Sequence, residues 1–227
     1  VGDPGASSND GKAVIIFGKV SSFVWPAVFD ATALGSGGRT FHAASGSAGK
    51  LGWAVSPAGD LNDHGIADVA LAAPYAAASA GQVQVLFSEA TVMKSASITL
   101  PITNPSNGFY FQGDANSLFG YSISGRVGDF NHMSLGDDII IGAPGVNKAY
   151  LLFGKETGNW KSPQMSSTLE GITLVGSASE FFGCSVTGGD MNADGYSDLV
   201  IGAQGSNGGI GRAYIVCGHC SWSRWHF

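Results

Sequence analysis

The stretch "FFGCSVTGGDMNADGYSDLVIGAQG", residues 181–205, joins two strand-like segments through a loop rich in aspartate and asparagine. In the first segment, apolar and small residues alternate around Val186, which is the period of a half-buried β-strand. The second segment begins at Asp198 and is almost wholly apolar, which is typical of a buried strand. The stretch therefore predicts a β-hairpin with carboxylates concentrated in its loop.

The same hairpin pattern occurs twice more along the chain. The earlier copies are "GWAVSPAGD" with "DVALAAP", from residue 52, and "GYSISGRVGD" with "DIIIGAP", from residue 120. A further strand-like segment starts at residues 11, 81, 147 and 211, with the sequences "GKAVIIFGK", "GQVQVLFSE", "NKAYLLFGK" and "GRAYIVCGH". A fourth, less regular strand is expected near Phe41, at 109–111 and at 172–175. Short strands repeating at about 65 residues predict one four-stranded antiparallel sheet per repeat.

The predicted fold class is therefore all-β, with sheets that stack as the blades of a β-propeller or as a solenoid. Glycine supplies 35 of the 227 residues and only 12% are charged, which favours many tight turns over long helices. No segment keeps a 3.6-residue apolar period, so helical repeats are excluded.

Charge and hydropathy limit the classes of partner. The chain has 17 acidic against 11 basic residues, a net charge of −6, so it has no electrostatic reason to bind nucleic acid or an anionic membrane. Cation binding is the better expectation. No apolar run approaches the roughly 20 residues that span a bilayer, and membrane insertion is not expected.

Two of the copies resemble FG-GAP repeats, which form the blades of the integrin α-subunit β-propeller. The matching positions are Phe119-Gly120 and Phe182-Gly183 for "FG" and Gly142-Ala143-Pro144 for "GAP". The chain departs from the motif at Leu51 and at Gln204, which stand in place of phenylalanine and proline. The resemblance implies a seven-bladed ring, of which this chain supplies about three and a half blades. The remaining blades are then expected from a longer parent chain or from another subunit.

The repeat also predicts the blade boundaries. Residues 1–218 are expected to form FG-GAP-type blades: the outer strands of a first blade at 1–51, a second at 52–119, a third at 120–182 and an incomplete fourth at 183–218. Residues 219–227, "HCSWSRWHF", form an atypical tail that fits neither a connector nor an outer strand.

The loop in the opening stretch has the spacing of a calcium site. Oxygen side chains at alternate positions of a tightly wound loop point to one side, where they can surround a hard cation, and glycine permits the bend. The expected calcium ligands are Asp190, Asn192, Asp194 and Asp198 at positions 1, 3, 5 and 9, with the carbonyl of Tyr196 at position 7. The pattern differs from an EF-hand, because position 12 is Ile201 rather than glutamate.

The other two loops are less complete versions of this site. The weaker calcium site has Asp60, Asn62, His64, Ile66 and Asp68 in the corresponding positions, with imidazole, a poor calcium ligand, at position 5. The doubtful site keeps Asp129 and Asn131 in a loop one residue longer, where Asp137 and Asp138 are expected to compensate. For all three loops the alternative is a polar hairpin in which Asp and Asn only bond the backbone.

Catalysis is not expected. "CGHC", residues 217–220, has the spacing of a redox or zinc motif, but Cys217 stands at the core position that Phe17 and Phe87 hold in other repeats. The five histidines accompany no recognisable nucleophile. The sequence is therefore interpreted as a calcium-binding extracellular or cell-surface propeller module for adhesion or protein binding. The alternatives are a lectin-like propeller and a non-catalytic accessory domain of a larger secreted enzyme.

Overall fold

The computed structural model describes residues 1–18, 30–31, 34–88, 94–132, 136–155, 164–165 and 171–218. The tail at 219–227 lies outside these residues, as do 133–135 of one acidic loop. The described part of the chain contains sixteen strands in four sheets. The predicted fold class, all-β with sheets consistent with propeller blades, is confirmed.

Each sheet is built on an antiparallel meander of three or four strands, and the first two sheets each add one parallel strand. The first sheet, in spatial order, consists of β1 (Gly2–Asp3), β2 (Lys12–Ile16), β3 (Gly38–His42) and β7 (Ser97–Thr99). The second consists of β4 (Ala54–Gly59), β5 (Asp68–Ala73), β6 (Gln82–Leu86), β8 (Gly108–Gln112) and β12 (Gln164–Met165). The third consists of β9 (Ser122–Gly128), β10 (Asp138–Ala143), β11 (Lys148–Leu152) and β13 (Gly171–Val175). The fourth consists of β14 (Phe182–Gly189), β15 (Asp198–Ala203) and β16 (Arg212–Val216).

The structure adds three short strands to the expected pattern. β1 was not predicted, because only two of its residues are paired and too few precede them to show a periodicity. β7 and β12 each pair in parallel with the outer strand of the preceding sheet, β3 and β8 respectively. Two or three residues carry no readable period-2 signal, so only tertiary pairing reveals these strands. β7 ties the first sheet to the second, and β12 ties the second to the third.

The hydrophobic core lies between successive sheets. One cluster joins the second and third sheets through Phe109, Phe111 and Phe119, all at most 1% exposed, and smaller clusters join the first to the second and the third to the fourth. β10 lies between two strands of its own sheet and between two sheets, and all six of its residues are buried. This is why its sequence is a continuous apolar run rather than an alternating one.

The inner strands pack closely side by side. β9 contacts β4 on one side and β14 on the other. A side chain at Gly125 would collide with the backbone of Ala58, so glycine is required where these two strands approach. Turns also link successive sheets. Lys50 and Leu118 donate backbone hydrogen bonds to the carbonyls of Asn9 and Ser79, which lie in turns of the preceding sheet (3.0 Å each).

Candidate metal centre

Three acidic loops occupy the hairpins between the first two strands of the second, third and fourth sheets. We call them the first (60–68), second (129–138) and third (190–198) acidic loops. Each is closed by a paired glycine and aspartate: Gly59 with Asp68, Gly128 with Asp138, and Gly189 with Asp198. Because all three hairpins run in the same direction, the loops lie together at one end of the blades.

Neighbouring loops contact one another directly. Asp137 of the second loop accepts a hydrogen bond from the backbone N–H of Asp60 through Oδ2 (2.8 Å), and its own N–H donates to the Asp60 carbonyl (2.8 Å). The ring of His132 in the second loop meets that of Tyr196 in the third, with centroids 4.4 Å apart. The loops thus form a continuous acidic rim.

The last aspartate of each loop is a structural clamp. Asp68, Asp138 and Asp198 are at most 1% exposed, and both carboxylate oxygens of each accept backbone N–H groups. The Oδ2 atoms accept from the start of the same loop: Leu61 (3.1 Å), Phe130 (2.8 Å) and Met191 (2.9 Å). The Oδ1 atoms accept from the backbone N–H of the second residue after the third strand: Ser88 (3.1 Å), Gly154 (2.9 Å) and Gly218 (3.1 Å). The last aspartate, a predicted ligand in each loop, therefore ties the loop to the third strand whether or not a cation binds.

The residues that follow the third strand of each of these sheets were not identified from the sequence as part of the site. Ser88, Gly154 and Gly218 each follow an apolar strand by two residues, which resembles ordinary strand termination. Their backbone N–H groups, not their side chains, receive the buried carboxylates. The only available signal was the recurrence of a small residue at equivalent places in the repeat.

The first aspartate of the first and third loops wraps the backbone in the same way. Asp60 accepts the N–H groups of His64 (3.0 Å) and Gly65 (2.6 Å), and Asp190 accepts those of Asp194 (3.2 Å) and Gly195 (2.9 Å). The two glycines have φ of +91° and +86°, a left-handed conformation that glycine adopts without strain. The bend predicted at position 6 is confirmed.

The third loop places its remaining side chains close together on an exposed surface. Asn192 accepts from the N–H of Asp194 (3.0 Å) and donates to Asp194 Oδ2 (2.9 Å), while Asp194 Oδ1 accepts from the N–H of Tyr196 (2.9 Å). These are the turn-forming bonds of the polar-hairpin alternative. The donor set of three carboxylates and an amide oxygen nevertheless fits a hard cation, because a carboxylate oxygen that accepts an N–H group keeps a lone pair for a metal.

The first loop brings its titratable side chains together most tightly. Among the described residues, Asp60, His64 and Asp68 are the one group of three acidic, cysteine or histidine side chains whose potential ligand atoms all lie within 4.8 Å of one another. His64 Nδ1 lies 3.0 Å from Asp60 Oδ1. Burial acts to raise the pKa of Asp60, but hydrogen bonds from the backbone and ring of His64 and from Gly65 outweigh it, and the pKa is lowered. Of the other two expected ligands, Asn62 is buried and Ile66, which would contribute its backbone carbonyl, is exposed.

The second loop divides its predicted ligands. Asp137 points to the first loop, as described above, whereas Asp138 is fully buried as the clamp of its own loop. Burial raises the pKa of Asp138 to about 6, against three backbone hydrogen bonds that lower it, and the nearby charge of Asp129 adds to the rise. Asp129 and Asn131 begin the loop, but residues 133–135 lie outside the described residues. We expected Asp137 and Asp138 to compensate together for the missing acid. In the described residues they have different partners instead.

Comparisons with known proteins agree with this architecture. The model of the FG-GAP repeat family matches residues 182–216. The chain is 32% identical to chicken (Gallus gallus) integrin alpha-6 over 117 residues, covering 48% of this chain and 10% of that protein. It is 29% identical to Drosophila melanogaster integrin alpha-PS5 over 166 residues (69% and 15%), and 32% identical to mouse (Mus musculus) integrin alpha-3 over 150 residues (63% and 13%).

The family match at residues 182–216 and the integrin relatives support an integrin-like FG-GAP domain, and the resemblance predicted from the sequence is confirmed. The chain spans between 10% and 15% of the length of the three integrin relatives described above. In the described residues, no helix has the length and apolar character needed to cross a bilayer.

Proposed function

We propose that the chain is part of a calcium-binding, non-catalytic β-propeller module for adhesion or protein–protein interaction, located outside the cell or at its surface. The observation that carries the proposal is the repeated acidic loop, present at the same end of three successive blades in a chain whose relatives are integrin α-subunits. Calcium at this end stabilises the hairpins, and the third loop has the most complete set of oxygen ligands.

The opposite end of the blades offers a surface for a partner. Trp53 is 37% exposed and lies 5.3 Å, between ring centroids, from both Tyr75 and Tyr121. The ammonium group of Lys50 lies over the rings of Trp53 (5.6 Å) and Tyr75 (4.4 Å), and Phe181 extends the row beyond Tyr121. Exposed aromatic rings with a basic group are enriched where proteins bind each other, so we assign protein binding to this end.

The remaining blades of the ring belong, in this proposal, to the same parent chain or to another subunit. In this proposal the blades keep their expected boundaries, except that β7 and β12 pair with the sheet of the preceding blade. The tail at 219–227 keeps no assigned role.

A calcium titration followed by thermal unfolding tests the metal-binding part. Millimolar calcium is expected to raise the Tm relative to chelator, and Asp194→Ala to remove most of the increase. Asp114→Ala, which removes a carboxylate outside the acidic loops, should leave it intact. An equal Tm with calcium and with chelator would contradict the assignment.

The partner-binding part is tested with a panel of extracellular proteins and a glycan array. Trp53→Ala is expected to weaken binding to a protein partner by about tenfold or more, because exposed tryptophans often carry most of the binding energy. Val175→Ala, which changes an exposed apolar residue on β13, is the matched control. Binding to glycans alone would favour the lectin-like alternative.

A further inference from the structure

The donor set of the first acidic loop does not fit the calcium that the fold family implies. Two carboxylates, of Asp60 and Asp68, converge with the imidazole of His64, which takes the place that Asp194 has in the third loop. Calcium is bound almost entirely by oxygen, whereas imidazole nitrogen suits zinc and other transition-metal dications. We propose that the first acidic loop binds a transition-metal dication of the zinc class in preference to calcium. The inference rests on the proposed function in treating these loops as metal sites, but assigns a different ion to this one.

Two of the potential ligand atoms already lie close together. His64 Nδ1 and Asp60 Oδ1 are 3.0 Å apart. Two ligands of a tetrahedral ion with bonds of about 2.1 Å, the geometry typical of zinc, are about 3.4 Å apart, so a small outward shift of either side chain opens a coordination position between them. The ion takes the place of the hydrogen bond between the two groups, and the imidazole binds it through a nitrogen that carries no proton.

The surroundings hold the three side chains in place. Asp68 is fixed by Leu61 and Ser88, and the side chains of His64 and Asp60 are only 17% and 22% exposed. Asp137 from the neighbouring blade holds the N–H of Asp60, and the N–H of Lys155 donates to the carbonyl of Leu61 (3.0 Å). A site fixed from two blades loses little conformational freedom on binding, which favours a metal with strict geometric demands. Three protein ligands leave a coordination position for water.

The experiment uses the whole chain with zinc chloride and, as a spectroscopic probe, cobalt(II) chloride. Calorimetry should show zinc binding more tightly than calcium to one site, and cobalt should give visible absorption bands from nitrogen and oxygen coordination. His64→Gln removes a proposed ligand and is expected to weaken zinc binding by at least about tenfold to a hundredfold, the loss seen even when only an outer-shell partner of a metal ligand is removed. His42→Gln, which changes a histidine outside the acidic loops, should leave it unchanged.

A reciprocal pair of variants sharpens the test. His64→Asp should reduce zinc binding at the first loop and add a calcium site, whereas Asp194→His should reduce calcium binding at the third loop. Circular dichroism identifies any variant that fails to fold, and the conservative His64→Gln then carries the result. Zinc binding that survives His64→Gln, or no zinc or cobalt binding to the intact chain, would overturn the inference. The calcium response of the third loop is read separately through Asp194→Ala, so that either proposal can fail alone.

Discussion

The first and third acidic loops share a backbone but differ in the side chains that face a cation. In both, the first aspartate accepts the N–H groups at positions 5 and 6, and the last one joins the loop to the third strand. Position 5 is His64 in one and Asp194 in the other. Position 3 is also different in its surroundings, because Asn62 is buried and Asn192 is exposed.

The comparison separates two roles that the sequence alone merges. The last aspartate, at position 9 of the first and third loops and position 10 of the longer second loop, belongs to the fold, since its carboxylate is buried against backbone N–H groups in all three. Position 5 belongs to ligand choice, since it can change from acid to imidazole without changing the turn. Variants at these two positions should therefore have different effects, and the following predictions run from the largest expected effect to the smallest.

Removal of the clamp should destabilise the fold with or without metal. Asp198→Ala leaves the N–H groups of Met191 and Gly218 without their acceptor at a buried site, and is expected to lower the free energy of unfolding by about 2–4 kcal/mol. Urea unfolding in chelator measures the effect. If Asp198→Ala destabilises only when calcium is present, position 9 is a ligand rather than a clamp.

Removal of the position 5 acid should act only through calcium. Asp194→Ala exposes no buried polar group, so in chelator the free energy of unfolding should change by less than about 1 kcal/mol. With calcium at about 100 times its Kd, loss of binding removes about 2.7 kcal/mol of stabilisation. The measurement is urea unfolding at matched calcium concentrations, with Asp194→Asn as the conservative control. A loss of equal size in chelator would show that the turn, not the cation, depends on Asp194.

The second loop should show a pH dependence of opposite sign to that of an ordinary salt-bridged acid. Because the pKa of Asp138 rises to about 6 on folding from an ordinary value of 3.8, the folded state binds the extra proton. Its contribution to stability is fully present at low pH and is lost as the pH rises from about 4 to above 6, by about 1–3 kcal/mol.

Asp138→Asn removes this titration. In chelator, the difference in unfolding free energy between the wild-type chain and the variant should shift in favour of the variant as the pH is raised from 5 to 7.5. Any constant loss from the altered hydrogen bonds cancels in that comparison. A difference that does not vary with pH would contradict the raised pKa.

The contact between the first and second loops should contribute least. Asp137→Ala removes one hydrogen bond to the N–H of Asp60 and is expected to lower the free energy of unfolding by about 0.5–1.5 kcal/mol. Asp63→Asn, at an exposed position of the first loop whose left-handed backbone asparagine tolerates, is the matched control. Hydrogen exchange at the Asp60 amide should accelerate in the first variant and not in the second.

Much of the fold followed from local patterns. Alternation around Val186 and the apolar run after Asp198 predicted the hairpin, and its repetition predicted stacked sheets, because such sheets cannot bury both faces alone. The strands at 109–111 and 172–175 were also found in place. The short cross-links β7 and β12 were not predictable, because their pairing depends on a neighbouring sheet rather than on their own residues.

The candidate site was predictable in part. Regular spacing identified the loops and the glycine at position 6, since a bend and alternate ligands are local properties. Spacing could not show that Asp137 faces the neighbouring loop, or that Asp60, His64 and Asp68 form a tighter cluster than the complete set around Asp194. It ranked the loops by residue type, whereas the clustering depends on contacts such as the 3.0 Å approach of His64 Nδ1 to Asp60 Oδ1, which spacing does not reveal.

The sequence by itself determined the repeat, the all-β class and the residue types offered by each acidic loop, because all three depend on periodicity and composition within a few neighbouring residues. Only the tertiary structure decided which carboxylates act as buried clamps, which one joins two blades, and where the sheets exchange strands. Those outcomes depend on burial and on hydrogen bonds between groups 16 to 77 positions apart, such as Asp138 with Gly154 and Asp60 with Asp137. Distances of that kind are not encoded in any local pattern.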